Sequence, residues 1–301
     1  MGVSSPHLGW DLLADWEQLT TYPFMVQALE AGAIVAVMAG AIGWFMVLRQ
    51  QTFAGHTLAV ISFPGAAAAT LAAIPVAFGY FGACVLGALA LAALGREGRS
   101  GRSGESAAIG TLQAFALGLG FLFVGLYGGQ LAGLEALLFG TFLGITESQV
   151  TTLLCIAIAV LLLLAILGRP LLFASVDGSV ARAGGVPTRL LGVAFLLLLG
   201  LAVAATAQIT GALLVFALLV TPAATAQLIT ARPGRGLALS VVLAFGVTWL
   251  GLGIAYFSPY PVGFWVTSLS FGLYVLVRGV RSLSHIRQQG TNAPHAAEAA
   301  A

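Results

Sequence analysis

The sequence predicts an all-α polytopic membrane protein with about nine transmembrane helices, and three observations carry that expectation. Hydrophobic residues make up 59% of the 301 and charged residues only 7%, where a water-soluble domain carries roughly a quarter charged. The apolar residues form unbroken runs of roughly 20, the number that crosses about 30 Å of hydrocarbon at 1.5 Å per residue. They do not show the alternating ten-residue pattern of a membrane β-barrel. Finally, the twelve basic residues are all arginine, and every one lies outside the apolar runs. Helices suit such a setting because they satisfy their own backbone polar groups, which lipid cannot do.

The runs cover residues 24–48, 56–74, 76–94, 107–126, 150–167, 190–207, 212–230, 236–256 and 262–277. Threaded alternately through a bilayer, they gather Arg49, then Arg96, Arg99 and Arg102, then Arg169, Arg182 and Arg189 on one face. Arg232 and Arg235, and finally Arg278, Arg281 and Arg287, join them there. Arginine is enriched in cytoplasmic loops. The expected topology therefore has the N-terminus outside and the C-terminus inside. Residues 1–23 form an extracytoplasmic segment carrying Asp11, Asp15 and Glu17 with no basic start, so a cleavable signal is not expected. Residues 24–281 are the transmembrane domain, and 282–301 are a cytoplasmic, disordered tail that contains His285 and His295.

Several function classes fall away. Without lysine there is no P-loop and no Schiff-base chemistry in this chain, so a nucleotide that drives it must bind another subunit. Cys84 and Cys155 sit inside apolar runs as buried small hydrophobes and indicate neither a disulfide nor a metal site. An intramembrane enzyme would need a nucleophile with a base, or a metal-binding pair. Ser62 lies six residues from His56, off its helical face, and no HExxH is present.

A polar seam interrupts the apolar sequence at residues 49–65, RQQTFAGHTLAVISFPG. Ionisable residues inside spans are costly, which makes them functional candidates facing protein or water. Two qualify, His56 here and Glu30 in the outer part of the first span. Neutral imidazole is a common metal ligand, but the position one turn on is Val60, which cannot ligate. His56 therefore suits either a hydrogen bond between helices or a transient contact with a metal ion. Glu30 suits either ion binding or snorkelling to the outer interface. Pro64-Gly65 predicts a break or kink in the second span, with non-helical backbone lining a cavity.

Further along, residues 127–149 suggest a re-entrant or interfacial helix beside an outer vestibule. In the loop at 169–190, RPLLFASVDGSVARAGGVPTRL, Asp177 is placed to cap a short helix over 178–183, which Gly184, Gly185 and Pro187 terminate. Such a helix on the inner face suits either docking to a soluble partner or a plain connection between two spans. The later helix GALLVFALLVTPAATAQLIT carries Pro222, a kink or hinge position, with Thr221, Thr225 and Gln227 around it and alanines that permit close packing.

These three stretches, in this order, resemble the permease of the zinc/manganese ATP-binding-cassette importers (the ABC-3 type), and the likeness covers almost the whole chain. In that family the segment after the first span usually reads S-F-x-G-D-A-x-S-H-A-x-x-P-G, and Phe53, Gly55, Pro64 and Gly65 fit it. The family's Asp falls on His56 and its His on Val60, so its carboxylate and imidazole pair has become one imidazole.

The resemblance implies a permease, not itself an enzyme, in a bacterial cytoplasmic (plasma) membrane. It implies zinc or manganese as transported substrate, no permanently bound cofactor, and ATP used only through a partner ATPase. Further implied partners are an extracytoplasmic substrate-binding protein and a second copy of the chain; lipid surrounds it and no nucleic acid is expected. Phe173, Asp177, Ala181, Arg182, Gly184 and Gly185 become the ATPase-coupling segment. His56 and Glu30 lie on the substrate path, with His56 the metal contact, and Pro64, Gly65 and Pro222 serve gating. A more distant likeness to permeases for iron-siderophore chelates and cobalamin gives the alternative cargo, a metal chelate.

Overall fold

The structure, a computed structural model, describes residues 12–94, 101–127, 137–138, 140 and 144–298. They form α1 (Leu12–Thr21), α2 (Pro23–Leu48), α3 (Thr52–Leu71), α4 (Val76–Leu94), α5 (Gly101–Tyr127) and α6 (Glu147–Val176). There follow α7 (Gly178–Ala183), α8 (Thr188–Thr210), α9 (Ala212–Ile229), α10 (Pro233–Tyr256) and α11 (Val262–Glu298). No strand occurs among the described residues. Eight of these helices are long and apolar enough to cross a membrane, and α9 is a further apolar helix of 18 residues. Each of the nine expected spans thus falls on a helix. Most of the expected outer helix at 127–149 lies outside the described residues.

Three boundaries differ from expectation. Helix α3 begins at Thr52 and runs unbroken through Pro64 and Gly65, so the non-helical backbone expected there is absent. Proline removes one hydrogen bond, to the Val60 carbonyl, while its fixed φ remains compatible with the helix. Helix α6 passes Arg169 and Pro170 and ends at Val176. Its 30 residues reach about 45 Å, well beyond a hydrocarbon core. Helix α11 continues to Glu298, where a disordered tail was expected; its extension includes the good helix formers Leu283, Arg287, Gln288 and Gln289.

The short connections are built by one device. After α2 the Gln50 amide donates to the Val47 carbonyl and the Gln51 amide to Met46, with Gln50 at φ 56°. After α3 the same pair of bonds runs from Ala73 to Thr70 and from Ile74 to Ala69, with Ala73 at φ 54°. After α7, Gly185 donates to Arg182 and Val186 to Ala181, with Gly185 at φ 81°. All three are Schellman caps, which need a left-handed residue one beyond the cap. Only the third uses glycine, so the two turns flanking α3 carry strain of about 1–2 kcal/mol each.

Helix α2 is the hub of the bundle: 72% of its apolar window is buried, against 17% for α5 and 11% for α11. It packs on α10, α9, α6 and α8. Lipid tails are as apolar as leucine, so helices in a membrane associate through close packing rather than hydrophobic burial. Small residues at 32, 36, 40 and 43 supply that fit on α2. A methyl group on Gly43 would run into the Leu219 carbonyl of α9, and one on Gly40 would meet the backbone at Ser240 and Val241 of α10. Where α2 and α10 touch, Ser240 Oγ donates to the Gly40 carbonyl at 2.7 Å. Helices α3 and α4 meet through a reciprocal pair, because a Cβ on Gly65 would strike the Gly79 carbonyl and one on Gly79 the Gly65 carbonyl. Cys84 is buried, and its thiol donates to the Leu58 carbonyl at 3.6 Å.

Gly43→Val and Gly65→Val are therefore expected to lower the yield of monodisperse protein in size-exclusion chromatography, each through an overpacking cost of about 1–3 kcal/mol. Gly82→Ala, on α4 with open space around the added methyl, is expected to leave the yield unchanged.

Candidate functional site

His56 lies in the second turn of α3 and turns its ring toward α9, where it meets Phe216 edge-on with centroids 4.7 Å apart and planes at 61°. Its Nδ1 is buried and has no hydrogen-bond partner. A buried polar atom without a partner forfeits about 1–3 kcal/mol, and Nδ1 ties His56 to no neighbouring helix. The position one turn on, Val60, is half-buried. No group of three or more His, Cys, Asp or Glu side chains that could hold a metal occurs among the described residues.

Glu30 is exposed on α2, between buried Leu29 and Ala31. It lies about 27 Å of helix from Leu48, while His56 lies only about 6 Å into α3. The two are therefore separated by roughly 20 Å across the membrane, and one ion cannot touch both.

Pro64 and Pro222 are both buried inside continuous helices, and Pro222 leaves the Leu218 carbonyl without its helical donor. Two of the three polar side chains near Pro222 are spoken for. Thr225 Oγ1 donates back to the Thr221 carbonyl at 2.7 Å, and Gln227 Nε2 donates to the Trp44 carbonyl of α2 at 2.9 Å. Gly65 is a packing contact with α4, as described above.

At the far end of α6 the sequence-predicted short helix is present. Asp177 caps α7: its Oδ1 accepts from the Ser179 amide at 2.9 Å, the Val180 amide at 3.0 Å and the Ser179 hydroxyl at 2.6 Å. The Ser179 hydroxyl, then the Val180 and Ser179 amides, hold the Asp177 carboxyl below the usual carboxylate range. Ala181 is buried, which pins α7 down by one residue, while Arg182, Gly184 and Gly185 are exposed. Phe173, Val176 and Val180 are also exposed, and the ring edge of Phe173 lies over Gly184. The result is an apolar shelf with a basic margin at one end of the bundle.

Sequence reasoning did not find Phe216 as the neighbour of His56, since no pattern links residues 160 positions apart. Nor did it find the contacts of Arg49, whose Nη1 donates to Ser175 Oγ at 3.2 Å and whose guanidinium stacks 5.3 Å from the Phe195 ring centroid. The α2 glycines could have been found, because the small residues at 32, 36, 40 and 43 share one helical face.

A bundle of apolar spans centred on one helix, with a short capped helix at one end, is the architecture of a multi-pass membrane protein. The model of the ABC 3 transport family matches residues 21–280, and the chain belongs to that family. It is 34% identical over 243 residues to the manganese transport system membrane protein MntC of Halalkalibacterium halodurans, covering 81% of each chain. It is 31% identical over 242 residues to the chelated iron transport system membrane protein YfeC of Yersinia pestis, covering 80% of each. The solved structure of PsaBC from Streptococcus pneumoniae in complex with Fab superposes with a TM-score of 0.79 at 27% identity, over 88% of this chain and 95% of that one.

The α7 cap sets a pH dependence. Because the folded Asp177 pKa is lowered, the cap contributes fully above the ordinary carboxylate range and is lost as pH falls through the lowered value. Hydrogen exchange of the Ser179 and Val180 amides is expected to be severalfold faster in Asp177→Ala at neutral pH, and Asp177→Asn is expected to retain most of the protection.

Proposed function

We propose that this chain is the membrane-spanning subunit of an ATP-driven importer of a divalent transition metal, manganese before zinc. The observation that carries the cargo is the relatedness over four-fifths of the chain to permeases such as MntC, named for manganese transport. A cytoplasmic ATPase subunit docks on α7 and the exposed Phe173, Val176 and Val180. A substrate-binding protein delivers the ion on the opposite face, and two copies of the chain enclose the path. ATPase closure moves the helices bearing Pro64 and Pro222, and access alternates between the two sides.

Two features of the molecule support this reading. His56 offers one imidazole, and one ligand suits a conduit, where binding must be loose enough to release. Glu30 is exposed on the single chain, and a charged side chain within a span is costly where it faces lipid. A second copy closing around that face relieves the cost by giving Glu30 a watered path. The alternative cargo, a metal chelate, is favoured by the relatedness to YfeC, named for chelated iron, and by the lack of a three-ligand cluster among the described residues.

Uptake by proteoliposomes holding the complete complex, measured across divalent metals and ferric chelates, separates the two. ATP-dependent entry of free manganese is the expected result, and entry of chelates alone would replace the first reading with the second. His56→Ala is expected to lower manganese uptake at limiting metal roughly tenfold with assembly intact, and unchanged uptake would remove His56 from the path.

A further inference from the structure

Arg49 stands at the junction of α2 and α3, half-buried, and among the described residues no carboxylate pairs with it. What holds its charge instead is geometry. It is the C-cap of α2, and it reaches Ser175 in the last turn of α6, so two helix C-termini direct their partial negative charge toward it. The Ser175 hydroxyl donates its one proton to the Leu171 carbonyl at 2.5 Å, leaving a lone pair for Arg49. The guanidinium lies over Phe195, itself fully buried in α8, as a cation–π stack. Burial lowers the Arg49 pKa from its ordinary value, yet a guanidinium stays charged throughout the accessible pH range.

These contacts bracket α7 on both sides. Ser175 is two residues ahead of the Asp177 cap, and Phe195 sits two turns into the helix that follows α7. On its own chain, Arg49 is three residues before α3, joined through the left-handed Gln50 turn. Its Nε also approaches Gln51 Oε1 at 3.5 Å, and His56 follows one turn into α3. We infer that Arg49 is the positioning residue that transmits displacement of α7 to α3, and so links the docking shelf to the helix that carries His56. The link is polar and stacked rather than covalent, so it holds α3 in register with both flanks of α7 without filling the space between them. Where ATP drives the movement, this inference rests on the function proposed above.

The test uses the complete complex in proteoliposomes and reads manganese uptake per ATP hydrolysed. Arg49→Ala is expected to lower that ratio at least tenfold. Phe195→Ala should lower it in the same direction, and the double variant no further than Arg49→Ala alone. Arg49→Lys keeps the charge but not the planar stack and should recover part of the ratio. A structural role alone would lower the amount of assembled complex and leave the ratio of what assembles unchanged; that unchanged ratio overturns the inference. If Arg49→Ala does not assemble, Arg49→Lys and Phe195→Ala decide on the same readout.

A second measurement needs no cargo, and so stands apart from the identity of the metal. With exposed Cys155 removed as Cys155→Ser, spin labels at Val180→Cys on α7 and Phe53→Cys on α3 report their separation in complexes with one labelled copy. The separation should hold steady on ATP binding with Arg49 present and change in Arg49→Lys or Phe195→Ala. Equal behaviour with and without the stack would sink the coupling role even if uptake proceeds. Absence of manganese uptake in the unaltered complex, with the label result as expected, would fault the cargo and not Arg49.

Discussion

The close approach of three backbones on α2 is the constraint on which the rest of the molecule depends. In water a bundle can be held by burying leucine; in lipid that gain vanishes, and the fit of small residues becomes the source of cohesion. Gly43 lets α9 lie against α2, and Gly40 lets α10 lie against it from another side. Because backbone meets backbone there, the carbonyls come within reach of neighbouring side chains. Ser240 and Gln227 each bond an α2 carbonyl, at Gly40 and Trp44. The glycines thus create both the packing and the few polar ties across it.

That hub also fixes where the polar seam goes. Leaving α2 through a Schellman cap, the chain turns within three residues into α3, and His56 arrives against Phe216 of α9. Helix α9 is held to α2 by Gly43 and Gln227, so the position of the imidazole follows from contacts made on another helix. Its unpartnered Nδ1 is a polar cost that the packing does not relieve.

The sequence was informative where short-range physics decides. Run length and arginine placement mark every span, and Asp177 followed by Gly184-Gly185 and Pro187 defines α7 to the residue, because capping chemistry is local. It was less informative where a helix had no reason to stop: Arg169 and Pro170 resemble an ending, yet α6 continues to Val176. Pro64 resembled a break, but a single missing N–H does not unwind a helix pinned to α4 through Gly65 and Gly79. The candidate site was legible as residues and not as an arrangement. His56 and Glu30 both stand out as ionisable groups in apolar runs, but only the threading of α2 and α3 puts them near opposite ends of the bilayer. Phe216, Ser175 and Phe195 carry no signal of their own, since each looks like ordinary span sequence.

The mutual dependence of Gly65 and Gly79 has a consequence for how such a chain can diverge. Each position is closed to larger residues by the main chain of the other, so shrinking the neighbouring Ala83 or Ala69 side chain would not open it. No paired exchange of large for small can open a route between lineages here. Descendants of this protein must either keep both glycines or relocate one helix wholesale, so the crossing of α3 and α4 is historically frozen, while the lipid-facing residues beside it are free to drift.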